Sequence, residues 1–358
     1  MTAPRILICL HDFSRGGTER IAIGLAASWA EAGRDVTILC GSGEGGLRDM
    51  VDSRVKIEIL DPPVRRGFLS RFKLGRAMAR RLAALRPDVI FLPGNFHFLL
   101  AGALRRADPR SVIVLKISNP PLPAAAPFAK LVFRHFTRAV DGFAAMNGGL
   151  ARELKVLLPG RAIAALHDPV YIRQGAEAPR TGGRNILWIG RLEPQKDPQL
   201  ALQTIQMMDG QLTMLGDGAL GEDIKRQISA MNLKDKVTLC GHVPQIEPYL
   251  AAADALLITS RYEGGPAVAV EALARGVPVV STDCSYLLHD LITAAEAGRI
   301  VASRDPRDLA GALAAVCASS RVPEKLQALA APFEPRACAQ AYLDWFDTLI
   351  RQGLARHG

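Results

Sequence analysis

Two carboxylates, Glu263 and Glu271, stand eight residues apart in the run Ser260-Arg261-Tyr262-Glu263-Gly264-Gly265-Pro266-Ala267-Val268-Ala269-Val270-Glu271-Ala272-Leu273. The apolar segment Ala255-Leu256-Leu257-Ile258 ends just before it and reads as a buried strand, and a Gly-Gly-Pro turn then leads into a small-residue helix beginning near Pro266. Glu263 is therefore expected in the strand-to-helix loop, and Glu271 one to two turns into the helix. Open α/β sheets bind ligands at the carboxyl ends of their strands. Two carboxylates at two depths there suit a polyol, because each accepts hydrogen bonds from vicinal hydroxyls. Taken alone, the pair reads equally well as one solvated and one structurally paired glutamate.

A second loop adds positive charge. After the strand Asn185-Ile186-Leu187-Trp188-Ile189 comes Gly190-Arg191-Leu192-Glu193-Pro194-Gln195-Lys196-Asp197-Pro198. Gly190 permits close backbone approach. Arg191 and Lys196, projecting beside a helix start, suit a diphosphate without any metal, although taken alone the loop reads more readily as a surface turn with two solvated cations. Leu215-Gly216-Asp217-Gly218 and Gly241-His242-Val243-Pro244 follow two further strands, and main-chain groups near Gly216, His242 and Val243 suit a nucleobase.

These loops need strands and helices to hold them. In the first half, strands are expected at Ile6–Leu10, Asp35–Cys40, Val55–Leu60, Asp88–Leu92 and Ser111–Ile117, and helices at Glu19–Ala32, Phe68–Leu85 and Leu99–Arg106. The alternation pauses in the polar, Gly/Pro-rich stretch 171–183. It restarts with strands at Asn185–Ile189, Gln211–Leu215, Val237–Cys240, Ala255–Ile258 and Val277–Ser281. This rhythm means parallel, doubly wound sheets in two α/β halves, with a cleft expected between their carboxyl edges. The stripe Tyr342, Trp345 and Phe346 in the helical stretch Pro335–Gln352 is expected to be packing rather than a ligand site.

The chain has 358 residues, 49% hydrophobic and 22% charged, which fits two globular domains. No apolar run reaches the roughly 20 residues that span a bilayer, and the N-terminus is apolar too briefly for a signal peptide. The six cysteines are scattered without metal-ligand spacing, so reduced thiols and a cytoplasmic setting are expected. Net charge is +9, divided as +11 over residues 1–178 and −2 over 179–358, which suggests an anionic partner for the first half. Arg65, Arg66, Arg71, Lys73 and Arg76 interleave with Phe68, Leu69 and Phe72. That stretch reads either as a solvated face over core residues or as an anionic-membrane contact on the inner face. No recognition motif for nucleic acid accompanies it.

The ordered set Gly-Arg-Leu-x-x-x-Lys-Asp, Leu-Gly-Asp-Gly, Gly-His-Val-Pro, Ser-Arg-Tyr-Glu-Gly-Gly-Pro and Glu-Ala-Leu-Ala-Arg-Gly-Val-Pro-Val-Val resembles the family 4 retaining glycosyltransferases of the GT-B fold, most densely from Ile186 to Asp283. The resemblance implies two Rossmann-like domains: an acceptor-binding domain over 1–170, a linker over 171–183 and a nucleotide-sugar domain over 184–334. Residues 335–358 would form a helix returning to the first domain. Glu263 and Glu271 would be the family's E-x7-E motif, with Glu263 on the sugar hydroxyls and Glu271 on the ribose. Arg191 and Lys196 would hold the diphosphate, and the backbone near Gly264, Gly265 and Pro266 would meet sugar and phosphates. No metal or other cofactor is implied. The donor would be a UDP-sugar, with a GDP-sugar as the alternative, the group moved a hexosyl or N-acetylhexosaminyl residue, and the acceptor a lipid-linked or surface-glycan precursor.

In the first half the resemblance assigns Gly16 and Gly17, in His11-Asp12-Phe13-Ser14-Arg15-Gly16-Gly17, to a loop facing donor phosphates and acceptor. Many members carry a histidine after the strand matching Val112–Ile117; here the loop reads Ser118-Asn119-Pro120, leaving Asn119 and the neighbouring His97 as candidates for sugar or acceptor contacts. Gly41-Ser42-Gly43-Glu44-Gly45-Gly46 fits a dinucleotide fingerprint only by pattern, since it follows the second strand and Arg66 stands where an acidic ribose ligand belongs; it reads as a flexible loop. Competing functions on this scaffold are a non-catalytic nucleotide- or glycan-binding protein and a sugar-nucleotide epimerase or phosphorylase.

Overall fold

A computed structural model describes residues 3–67, 69–119, 127–171, 184–320 and 322–357. Phe68, Pro120 and nearly all of the expected linker (172–183) lie outside the described residues. The chain divides into two compact units, one comprising Met1–Pro169 with Pro335–Gly358 and the other Val170–Glu334.

The first unit carries a sheet of seven strands: β1 (Arg5–Leu10), β2 (Asp35–Cys40), β3 (Lys56–Ile59), β4 (Val89–Leu92), β5 (Val112–Ile117), β6 (Gly142–Ala145) and β7 (Ala162–Ala165). They run parallel in the order β3-β2-β1-β4-β5-β6-β7. The order reverses between β1 and β4, where Ile6 is in register with both Val36 and Val89. The central strands β1, β4, β5 and β6 are covered on both faces and almost wholly buried, whereas the edge strand β3 alternates Lys56-Ile57-Glu58-Ile59. Ile6, Ile8 and Leu10 enter one core layer, and Leu7 and Cys9 enter the other. Burial pushes the Cys9 thiol up to about 12, aided by the neighbouring Cys40, so it remains an uncharged packing group.

The last helix, Pro335–His357, belongs to this first unit. Tyr342 and Phe346 meet the Trp29 ring edge-on at centroid distances of 5.8 and 5.2 Å, and Tyr342 also meets Phe91 at 5.7 Å. The aromatic stripe is core, as its spacing indicates.

The second unit carries six strands: β8 (Asn185–Ile189), β9 (Gln211–Leu215), β10 (Val237–Gly241), β11 (Ala255–Ile258), β12 (Val279–Thr282) and β13 (Gly298–Val301). They too run parallel, in the order β10-β9-β8-β11-β12-β13, reversing between β8 and β11.

The sequence reading missed β6, β7 and β13. β6 and β7 are four-residue segments rich in alanine, which carry little strand signal of their own; their place is set by pairing with β5 and with each other. The helix expected over Phe68–Leu85 is broken into Ser70–Ala79 and Leu82–Leu85. Arg81, between the two, pairs with Glu58 of β3, and Leu82 lies in the core. Among the described residues, no helix is long and apolar enough to cross a membrane.

Candidate functional site

In the second unit, β8 and β11 are neighbours at the reversal of strand order, where their two carboxyl-end loops must diverge and leave a crevice. The loops are residues 190–197 and 259–266. Lys196 Nζ donates to Glu263 Oε1, and the Ser260 hydroxyl donates to the same oxygen at 2.7 Å. The Glu263 backbone N–H bonds the Cys284 carbonyl at 2.8 Å, which fixes the loop from behind. Both hydrogen bonds fall on Oε1, so Oε2 has no partner among the described residues. Arg191, on the same loop as Lys196, is 66% exposed and bonds Glu193 at 2.9 Å.

Residues to which the sequence reading gave no role join the two loops. Asp197 has a left-handed backbone (φ 48°), and its carboxylate Oδ2 lies 2.9 Å from Arg261 Nη2 and 2.8 Å from Arg304 Nη2. Arg304 also donates to the Thr259 carbonyl (2.8 Å) and the Ser260 carbonyl (3.1 Å). The Thr259 hydroxyl accepts from Trp188 Nε1 at 2.9 Å and lies 2.9 Å from the carbonyls of Lys196 and Asp197. Asp197 follows Lys196 within a recognised motif, so it was visible; Arg304 follows β13, a strand not anticipated, and gave no signal.

Gly216 has φ 130°, and a Cβ there would lie 1.9 Å from the Gly190 carbonyl oxygen. Its backbone N–H bonds the Gly241 carbonyl at 2.7 Å, while the Gly190 N–H bonds that of Leu215 at 3.0 Å. Gly216 thus lets three loops stack on one another. His242 beyond them is exposed, and Val243 packs partly on the core.

Glu271 lies in the helix Ala267–Leu273, half-buried between the buried Val270 and Ala272. Burial raises its carboxyl above the usual range, the Glu247 charge adds to the rise, and Arg275 opposes it. Glu247 Oε2 is itself buried without a hydrogen-bond partner. Gly264 and Gly265 are exposed, and Pro266 is buried as the helix cap. Among the described residues, no group of three His, Cys, Asp or Glu side chains gathers as a metal site.

The first unit has its own reversal, between β1 and β4. Arg66 bonds Asp12 (2.5 and 3.0 Å) and Glu19 (2.6 Å), tying the loop after β1 to the start of the helix Gly17–Glu31. Burial raises the Asp12 carboxyl, but hydrogen bonds from Arg66 and Ser14 outweigh it and bring the group down to about 2. A Cβ on Gly16 would lie 2.2 Å from Glu19 Oε2, whereas one on Gly17 would meet nothing within 4 Å. Of the glycine pair, Gly16 makes room for the carboxylate and Gly17 leaves open space. His97, after β4, is brought down to about 4 by burial, assisted by Arg71, and is neutral at physiological pH; its Nδ1 is buried without a hydrogen-bond partner. Asn119 is exposed, and its carbonyl accepts from Asn95 Nδ2 at 2.7 Å.

Two expectations for this unit change. The 41–46 loop is not loose: the Phe13 N–H bonds the Glu44 carbonyl at 2.8 Å, and Gly45 (φ 124°) passes so close to Phe13 that a Cβ would lie 2.1 Å from its carbonyl. The basic stretch is not one uniform face. Arg66 is committed to Asp12 and Glu19, Arg65 pairs with Glu44 at 2.7 Å, and Arg71 is half-buried. Lys73 and Arg76 stay exposed beside Leu69 and Phe72.

Comparisons with known proteins agree with this architecture. Residues 174–331 match the profile of "Glycosyl transferases group 1", and residues 15–170 match "Glycosyltransferase Family 4". The chain is 26% identical over 353 residues to the lipopolysaccharide core biosynthesis glycosyltransferase LpsE of Rhizobium meliloti, covering 93% of this chain and 96% of that protein. It is 25% identical over 261 residues to the lipopolysaccharide 1,6-galactosyltransferase of Escherichia coli, covering 69% and 70%. Among solved structures, the apo lipopolysaccharide outer core galactosyltransferase WaaB superposes with a TM-score of 0.79 at 18% identity, over 94% of this chain and 98% of that one. Anabaena HepE in complex with UDP superposes with a TM-score of 0.70 at 17% identity, over 99% of both chains.

Proposed function

We propose the donor, site roles and stereochemistry for a chain that belongs to the family 4 glycosyltransferases of the GT-B fold. It transfers a sugar from a nucleoside diphosphate sugar, a UDP-sugar before a GDP-sugar, to a hydroxyl of a lipid-linked or surface-glycan precursor, with retention at the anomeric carbon. The observation that carries this reading is the Lys196–Glu263 contact at the β8/β11 reversal. It puts a cation for phosphate and a carboxylate for sugar hydroxyls in one crevice. Support for UDP comes from HepE, solved with UDP, and support for a hexosyl group from the galactosyltransferase relative.

In this reading Glu263 Oε2 accepts from hydroxyls of the transferred sugar, while Lys196 and Ser260 fix the carboxylate through Oε1. Glu271 receives the ribose hydroxyls. Arg191 exchanges its exposed bond to Glu193 for the diphosphate, and the Gly264–Gly265 backbone lies against sugar and phosphate. Backbone around Gly190, Gly216, His242 and Val243 holds the base. In the step itself, the bond from the anomeric carbon to the phosphate oxygen breaks and the bond to the acceptor oxygen forms on the same face. The acceptor's proton passes to an oxygen of the departing diphosphate. Side-chain cations take up the charge that develops there, with no metal or other cofactor required. The first unit binds the acceptor near Gly17, His97 and Asn119, and the exposed Lys73, Arg76, Leu69 and Phe72 meet an anionic bilayer on the cytoplasmic face.

The test is release of UDP, GDP or ADP from a donor panel supplied with lipid-linked acceptors, with the anomeric configuration of the product read by NMR. An α-linked product from an α-linked UDP-sugar is the expected result. Inversion would remove the same-face step, and donor binding without any turnover would favour a non-catalytic binding protein.

A further inference from the structure

The donor site has a third phosphate-binding cation, Arg261, which is held in place on Asp197 until a diphosphate arrives; so we infer from how charge is distributed over the two loops. The inference rests on the nucleotide-sugar reading above. The two cations already assigned to the diphosphate are each matched: Lys196 by Glu263, and Arg191 by Glu193. At Asp197, by contrast, a single carboxylate oxygen faces two guanidinium groups. The two loops balance three cations with three carboxylates of their own, and Arg304, coming from beyond both, adds a fourth cation at Asp197.

The two arginines on Asp197 are not equivalent. Arg304 is bound at three places: Asp197, the Thr259 carbonyl and the Ser260 carbonyl. It neutralises the carboxylate, which is only 8% exposed, and would continue to do so alone. The Arg261 side chain is 59% exposed and has, besides Asp197, one long bond from Nε to the Pro194 carbonyl at 3.2 Å. Its backbone is pinned to the Lys196 loop, its N–H bonding the Gln195 carbonyl at 2.8 Å. Its Cα therefore stays at the crevice while its head group is free to turn. A guanidinium in that position can bind phosphate in bidentate fashion without leaving a buried carboxylate uncompensated. Releasing Arg304 instead would forfeit two carbonyl contacts and the loop geometry with them, so Arg304 is the positioning residue and Arg261 the ligand.

The experiment measures binding of UDP, GDP and ADP, and of the matching nucleosides, to the full chain by calorimetry. Arg261→Gln is expected to weaken the diphosphate that the wild type prefers by about tenfold or more, and to leave its nucleoside within about twofold. Arg261→Lys, which keeps the charge but loses the bidentate fork, is expected to fall between wild type and Gln in diphosphate affinity. Equal losses for diphosphate and nucleoside, an unchanged Gln variant, or a Lys variant as weak as Gln would each overturn the role of Arg261 and leave the donor reading standing. A wild type that binds none of the three diphosphates would overturn both.

Discussion

The two sheets reverse their strand order in the same way but equip the reversal with opposite electrostatics. In the second unit the crevice between β8 and β11 is lined by charges in contact across two loops, Lys196 with Glu263 and two arginines with Asp197. In the first unit the strong charges are locked among themselves, Arg66 between Asp12 and Glu19, and the nearby His97 is kept neutral by burial. Under the proposed function, the edge of the second unit would take an anionic leaving group and that of the first an uncharged nucleophile. Fold alone does not distinguish them; the side chains on the loops do.

The largest expected effect separates the two edges by rate. Glu263→Gln keeps the size of the side chain but removes the charge that faces Lys196 and the sugar. Turnover should fall by about 10²- to 10³-fold, with nucleotide affinity changed only a few-fold; an equal loss in binding would make Glu263 a mere structural anchor. A smaller effect is expected on stability in the first unit. Arg66→Ala leaves two carboxylates facing each other, and because Arg66 is about half exposed the cost should be about 1–2 kcal/mol in urea unfolding.

Acidification should distinguish the units by sign. His97 is depressed in the folded state, so its contribution to stability is intact above the ordinary value of 6.5 and is lost as pH falls through about 4. Asp12 adds a further loss as pH drops from 3.8 through about 2. Glu271 is raised, so it works the other way: its contribution is full below the ordinary 4.5 and is lost as pH rises through the elevated value. Melting curves across this range should show His97→Phe flattening the loss between 6.5 and 4. At neutral pH, Glu271→Gln should raise the melting temperature slightly while weakening nucleotide binding. The smallest expected effect is that of EDTA, which should leave turnover within about twofold, because in the proposed step side chains carry the phosphate charge; loss of activity restored by a divalent ion would break that account.

Much of the second unit could be read directly from the chain, because its functional loops are short and sit beside strong apolar strands such as Ala255–Ile258. Glu263 and Lys196 were identifiable separately; their contact was not, since it depends on β8 and β11 becoming neighbours across a sequence separation of 67. Arg304 was less legible still, because its strand, Gly298–Val301, reads weakly and its partners are backbone carbonyls rather than a motif. In the first unit the basic stretch misled through composition. Charge counted along the sequence cannot show that Arg66 turns inward to two carboxylates contributed by another loop and helix.

The placement of the last helix has a consequence for the order of events on the ribosome. Domains generally fold as units while the chain emerges, but the first unit cannot complete itself first: Trp29 and Phe91 await Tyr342 and Phe346, which are made near the end. The second unit is a continuous stretch and can close while the earlier-made sheet still exposes an aromatic surface. Truncation ahead of Pro335 would make that exposure permanent, so the half of the protein translated first would be the half to aggregate.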